Sequence, residues 1–153
     1  MILVTLGTQK QPFTRLLDYI EHSNIKDKIV VQVGHTMYNS NKMDIFDFIS
    51  YDEMSKLEDE AEIIITHGGT GSIINPLKKG KKIIACARKK ELGEHMDDHQ
   101  EELVGLFANE GYILELKDDS LDLLIKEMKV FKPKEFVSNT LNFIEKLKNT
   151  ISN

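Results

Sequence analysis

One cysteine, Cys86, is all the sulfhydryl chemistry the sequence offers. It excludes an internal disulfide, and its place in the apolar run IIACA (83–87) predicts a buried, inert thiol rather than a nucleophile. Long hydrophobic runs are missing too, none approaching the roughly 18 residues that cross a bilayer. No charged-then-apolar leader opens the chain, so a cytoplasmic location is expected, with any membrane association supplied by a partner or a surface patch. Positive charge is not in excess: 20 Lys and Arg stand against 25 Asp and Glu, for a net charge of −5. That balance argues against a general nucleic-acid binder, whose affinity for phosphate backbones comes from clustered cations. The one local exception is Lys78, Lys79, Lys81, Lys82, Arg88, Lys89 and Lys90, a stretch without acids. It reads first as a solvated helix end and loop, with an anionic ligand, a membrane surface or an acidic partner as alternatives. Repeats, low-complexity tracts and linkers are absent as well, and 153 residues at 41% hydrophobic fit one domain over 1–153.

What is present is an alternation of short apolar runs and helical patterns. MILVTL, stopped by Gly7, predicts a buried first strand, and a helix of about ten residues follows with Pro12 in its first turn. KIVVQVG (28–34), DIFDFIS (44–50), AEIIIT (61–66), KKIIACA (81–87) and YILEL (112–116) predict further strands. Helices are expected over YDEMSKLEDE (51–60), after the glycine-rich loop, over 96–109 up to the NEG stop signal, and over 121–128 and 133–147. Strands alternating with helices imply an α/β fold with a doubly wound, mostly parallel sheet and right-handed crossovers.

The stretch ITHGGTGSIINPLKKG (65–80) carries the most chemistry. Ligands of such sheets bind outside the carboxyl ends of strands, and the strand ending at Thr66 delivers His67, Gly68, Gly69, Thr70, Gly71 and Ser72 there. Glycine allows close backbone approach and positive φ, and a helix expected to begin at Ser72 offers free N–H groups and a dipole to an anion. A phosphate or diphosphate is the natural occupant. The Walker pattern is not met, and LGTQKQPF (6–13) lacks the dehydrogenase glycine spacing, so the loop belongs to another phosphate-binding family. A second polar cluster, GEHMDDHQEE (93–102), follows the strand KKIIACA and faces the same edge. His95 and His99 are spaced like a metal pair, but the zinc-protease Glu and a third ligand are missing, and no metal is expected.

Together, LVTLGTQKQPFTRLL, VVQVGHT, ITHGGTGSIINPLKKGKKIIA and GEHMDDHQEELV resemble the C-terminal, donor-binding domain of glycosyltransferase family 28, in particular its small one-domain members. The resemblance implies a Rossmann-like fold equivalent to the C-terminal half of a GT-B glycosyltransferase. It also implies an inverting, metal-independent hexosyl transfer from a UDP-sugar, which is the donor substrate rather than a cofactor. In such members a membrane-associated subunit binds the lipid-linked acceptor and forms a heterodimer at the membrane, and the bacterial ones act in capsule and exopolysaccharide synthesis. Carried over, the diphosphate falls to His67 through Ser72, the donor sugar to Asp98, His99 and Gln100, and the first-strand loop to Gly7 and Thr8. Arg88 and Glu94 are expected to reach the nucleotide. Asn75 stands where the family commonly has a Glu for the ribose hydroxyls; an amide still accepts a hydrogen bond but lacks the charge. His35 and His67 are the candidate bases, although the base is as well placed on the partner. Two other readings stay open: a non-catalytic nucleotide-sugar-binding module, which Asn75 favours, and an FMN binder, suggested by the threonines of the first loop.

Overall fold

The structure is a computed structural model describing residues 1–118, 120–137, 145–147 and 149. Six strands form one parallel sheet in the order β3-β2-β1-β4-β5-β6: β1 Ile2–Thr5, β2 Ile29–Gln32, β3 Asp44–Phe46, β4 Ile63–His67, β5 Lys82–Cys86 and β6 Leu114–Glu115. Among the described residues the helices are α1 Thr14–Glu21, α2 Tyr51–Glu60, α3 Thr70–Lys78, α4 His99–Asn109 and α5 Leu121–Met128, with a 3-10 turn at Lys90–Leu92 and a further helical stretch over 145–147. The central strands read as unbroken apolar runs because both faces are covered. Ile2, Val4, Ile65 and Ile84 point into a layer shared with Leu16, Leu17 and Ile20 of α1 and Leu124 of α5. Leu3, Ile64 and Ile83 point the other way, against Ile73 and Leu77 of α3 and Val104 and Phe107 of α4. α2 joins this second layer through Met54 and Leu57.

Local chemistry sets the helix ends. The Ser50 side chain caps α2 by accepting from Glu53 N, with Asp52 and Glu53 in the first turn where the dipole favours acids. Helices α3 and α4 both close in Schellman motifs: Gly80 N donates to Leu77 O and Lys81 N to Pro76 O, and Gly111 N donates to Ala108 O and Tyr112 N to Phe107 O. The usual apolar contact across such a motif is made in α4 by the Phe107 and Tyr112 rings, edge to face at 6.3 Å.

Three expectations shift. α1 starts at Thr14, not at Pro12, because Phe13 N is held by Thr36 Oγ1 at 3.0 Å and Phe13 keeps a non-helical backbone. α4 starts at His99 rather than Met96, since the Asp97 carboxylate takes the His99 N–H and holds the preceding loop in its own turn. Of the helix expected over 133–147, residues 133–137 are not helical, because Lys134 N is bonded to Gly111 O and Phe136 packs edge-on against Tyr112 at 5.3 Å, whereas residues 145–147 are helical. Leu141 and Ile144 of that pattern lie outside the described residues. The basic stretch is largely engaged within the protein: Lys79 pairs with Glu58 and Asp59, Lys81 reaches Asp59 O and Ala61 O, and Lys82 reaches Met128 O. Among the described residues no helix is long and apolar enough to cross a membrane.

Gly111 isolates a conformational effect, because its φ is +84° and an added Cβ would meet nothing within 4 Å. Gly111→Ala should therefore cost about 1 kcal/mol from the left-handed backbone alone, read as a lower urea midpoint with unchanged slope. An unchanged midpoint would contradict the assignment of this turn.

Candidate functional site

The strand order reverses between β1 and β4: the chain leaves β1 to place α1 on one face and leaves β4 to place α3 on the other. Such a switch point opens a crevice beyond the carboxyl ends of the two strands. The floor is tied across the strands by Thr5 Oγ1 donating to Thr66 Oγ1 at 2.7 Å. Gly7 and Thr8 form one lip, and His67 through Ser72 the other.

His67 fills the space between those lips. A Cβ on Gly7 would lie 2.4 Å from His67 Nε2, and one on Gly69 would lie 2.5 Å from His67 Cε1. A Cβ on Gly68 would meet Gln100 Cβ at 2.8 Å and Val104 Cγ2 at 2.9 Å. These glycines are thus demanded by the protein's own packing. Gly71 differs: its Cβ would meet nothing closer than Asn75 Nδ2 at 4.0 Å, so the room beside it is open. The imidazole is 6% exposed, with Nδ1 3.1 Å from Gln100 Nε2 and Nε2 3.1 Å from Ser72 Oγ. Burial, helped by the nearby Arg88 guanidinium, pushes its pKa down to about 3.

Two braces hold the lips. Gln32 Oε1 accepts from Leu6 N and Gly7 N, while its Nε2 donates to Gly7 O and Asp47 O. Arg88 is fully buried, stacks 4.9 Å over the Phe13 ring, and donates from Nη1 to Gln11 O and Glu94 O and from Nη2 to Leu6 O. Burial lowers its pKa to about 10. Glu94 is buried as well, forked against Arg15 Nε and Nη2 at 3.0 and 2.9 Å and capping Lys89 N. Arg88 and Glu94, expected to reach the nucleotide, are both turned inward here, Arg88 onto backbone carbonyls and Glu94 onto Arg15. Cys86 is buried, its thiol pushed up to about 11 by that burial.

The glycine loop separates two cavities. One, of about 310 Å³, is lined by Gly7, Thr8, Gln32, Tyr51, Ser72 and Asn75, with Phe48 and Glu58 at its far side. The other, of about 280 Å³, is lined by Gln9, Gly69, Thr70, His95, Asp97 and His99, with Gln100 beneath. The N-terminus of α3 lies between them. The helix begins at Thr70, not Ser72, with Gly69 as its N-cap and no side chain capping it, so early N–H groups of the helix are left to an outside acceptor. Of the remaining expected residues, Asp98 is exposed and accepts from Lys90 N, outside both cavities. His35 is exposed, its ring edge-on to Phe48 at 5.2 Å. Sequence reasoning missed Gln32, Glu58 and the segment from Phe48 to Met54. The signal for Gln32 was available, as the one polar letter inside IVVQV (29–33).

The pH dependence follows from His67. An unfolded histidine takes a proton below about 6.5, whereas the folded ring refuses one until about 3. Between those values the unfolded state binds more protons, so stability falls as pH drops, by up to about 1.4 kcal/mol per unit for this group. The His67 ring signals in NMR should stay at their neutral positions between about pH 8 and 5; a titration near 6.5 would contradict the buried geometry.

Comparison with known proteins agrees with this layout. The glycosyltransferase family 28 C-terminal domain model matches residues 1–152. The UDP-N-acetylglucosamine transferase subunit ALG13 of Debaryomyces hansenii is 27% identical over 117 residues, which are 67% of this chain and 54% of that subunit. The same subunit of Yarrowia lipolytica is 28% identical over 156 residues, 92% of this chain and 76% of its own length. This chain thus spans about half the length of the Debaryomyces relative. Among solved structures, the solution structure of ALG13 matches with a TM-score of 0.62 at 20% identity, covering 99% of this chain and 96% of that one. Acinetobacter baumannii MurG matches with 0.55 at 14% identity, over 95% of this chain and 44% of its own. These likenesses establish the fold as Rossmann-like, the size of one half of a larger glycosyltransferase. With all but its last residue inside the family model and both motif loops meeting at one crevice, this chain belongs to the glycosyltransferase family 28 C-terminal domain family.

Proposed function

We propose that the chain is the donor-binding, catalytic subunit of an inverting UDP-sugar glycosyltransferase that works with a membrane-associated partner on a lipid-linked acceptor, in exopolysaccharide or capsule synthesis. The observation that carries this reading is the uncapped N-terminus of α3 between two cavities, with open space beside Gly71. A diphosphate laid there meets backbone N–H groups and the positive end of the helix dipole. The nucleoside then occupies the cavity of Gln32, Tyr51 and Asn75, with the Asn75 amide toward the ribose, and the sugar occupies the cavity of His95, Asp97 and His99.

Transfer requires stabilisation of the charge that develops on the leaving UDP, and preorganised N–H donors at a helix N-terminus supply it without a metal. It also requires a base for the acceptor hydroxyl. The buried His67 ring, with both nitrogens engaged by Ser72 and Gln100 and its basicity lowered by burial, is the less favoured of the two expected bases. His35, at the exposed rim, or a group on the partner takes the role. The similarity to the UDP-N-acetylglucosamine transferase subunit ALG13 puts UDP-N-acetylglucosamine first among donors to test, with UDP-galactose, UDP-glucose and UDP-glucuronate beside it.

A transfer assay over that panel, with and without the co-purified partner, should show product only when the partner is present. Donor binding without transfer in both arms would favour a non-catalytic nucleotide-sugar module. Gly71→Ala should leave the fold intact or up to about 1 kcal/mol more stable, yet weaken UDP about tenfold. Unchanged UDP affinity in that variant would remove Gly71 from the site.

A further inference from the structure

Gln100 is 7% exposed, and its amide is committed on both sides. Oε1 accepts from two backbone donors, Gly68 N at 2.9 Å and Arg88 N at 3.1 Å. Those donors fix the amide's orientation: a flipped group would set its NH2 against two N–H groups and lose both bonds. With the oxygen fixed, Nε2 is the donor to His67 Nδ1, 3.1 Å away. An imidazole that accepts at Nδ1 and is neutral carries its single hydrogen on Nε2. That hydrogen faces Ser72 Oγ at 3.1 Å, so the serine oxygen accepts and its own O–H is left to point elsewhere. Ser72 is half-buried and lines the larger cavity beside the N-terminus of α3.

We propose that Gln100 is a positioning residue that, by holding His67 in the Nε2–H form, directs the Ser72 hydroxyl proton into the cavity as a donor for a ligand phosphate. The inference rests on the reading of that cavity as a UDP site, and it gives Gln100 a role beyond the expected contact with the donor sugar: the residue acts on the diphosphate through two intermediaries. The direction of the chain matters. Were the imidazole hydrogen on Nδ1, Nε2 would accept the serine proton, and Ser72 would present only lone pairs to an anion.

Gln100→Glu tests the direction while sparing the scaffold, because a carboxylate still accepts from Gly68 N and Arg88 N. It also accepts from the imidazole, which moves the hydrogen to Nδ1. Long-range nitrogen–proton NMR of His67 in the ligand-free protein should show Nε2–H in the wild type and Nδ1–H in Gln100→Glu. Calorimetric titration with UDP should show each of Gln100→Glu and Ser72→Ala binding about ten- to a hundredfold more weakly, the range for a hydrogen bond to a charged group. The double variant should bind no more weakly than Ser72→Ala alone, since both changes act through one hydroxyl. Nδ1–H in the wild type would overturn the proposal even if Gln100→Glu fails to fold. An equal further loss when Gln100→Glu is added to Ser72→Ala would also overturn it, leaving the UDP site standing. Failure of the wild type to bind UDP would count against the nucleotide site, and the tautomer would still decide the direction of the chain.

Discussion

The His67 ring lies wedged between Gly7 and Gly69, suspended from Gln100 and touching Ser72, and the arrangement of both loops follows from that single placement. A β-carbon on either glycine would overlap the ring, so the two lips can approach only as glycines. The ring in turn keeps its orientation because Gln100 is pinned by two backbone N–H groups, one in the glycine loop itself and one just beyond β5. Three chain segments distant in sequence are thereby locked to one imidazole. Gln32 and Arg88 extend the lock to the loops after β1 and β3 and to the Glu94 turn.

In the proposed reaction this rigidity has a chemical use. A helix N-terminus stabilises an anion only if its N–H groups stay where the charge develops, and groups that need not reorganise contribute most in a site closed to water. The polar side chains that the chain buries around the crevice are spent on the protein itself: Gln32, Arg88 and Gln100 hold backbone, while Thr5 bonds Thr66 and His67 bonds Gln100 and Ser72. The open surface is left to Gly71, Ser72, Asn75 and the small polar groups of the two cavities. A scaffold of buried amides and one guanidinium supports a lining that is itself mostly backbone and hydroxyl.

The α/β class, the run of strands and the crevice edge were legible because strands buried on both faces leave unbroken apolar runs and glycines punctuate their ends. YDEMSKLEDE was readable to the residue, since Ser50 caps it and acids crowd its first turn. The start of α4 was not, because Asp97 competes for the first N–H group from outside the helix. The glycine loop was legible as the turn from β4 into α3, but the reason for its glycines was not: Gly7, Gly68 and Gly69 answer to His67, Gln100 and Val104, and only Gly71 to open space. Arg88 and Gln100 illustrate the same limit. Their letters and positions mark the site, whereas their direction depends on carbonyls of Leu6 and Gln11 and amides of Gly68 and Arg88 that no local pattern reveals.

The central claim is that the crevice between β1 and β4, at the N-terminus of α3, holds a nucleoside diphosphate. Backbone amide NMR during a UDP titration tests it most directly. The largest shifts are expected at Gly7, Thr8, Thr70, Gly71 and Ser72, weaker ones at Tyr51 and Asn75, and none in α5. Shifts centred elsewhere, or none at the glycine loop with UDP in excess, would contradict it.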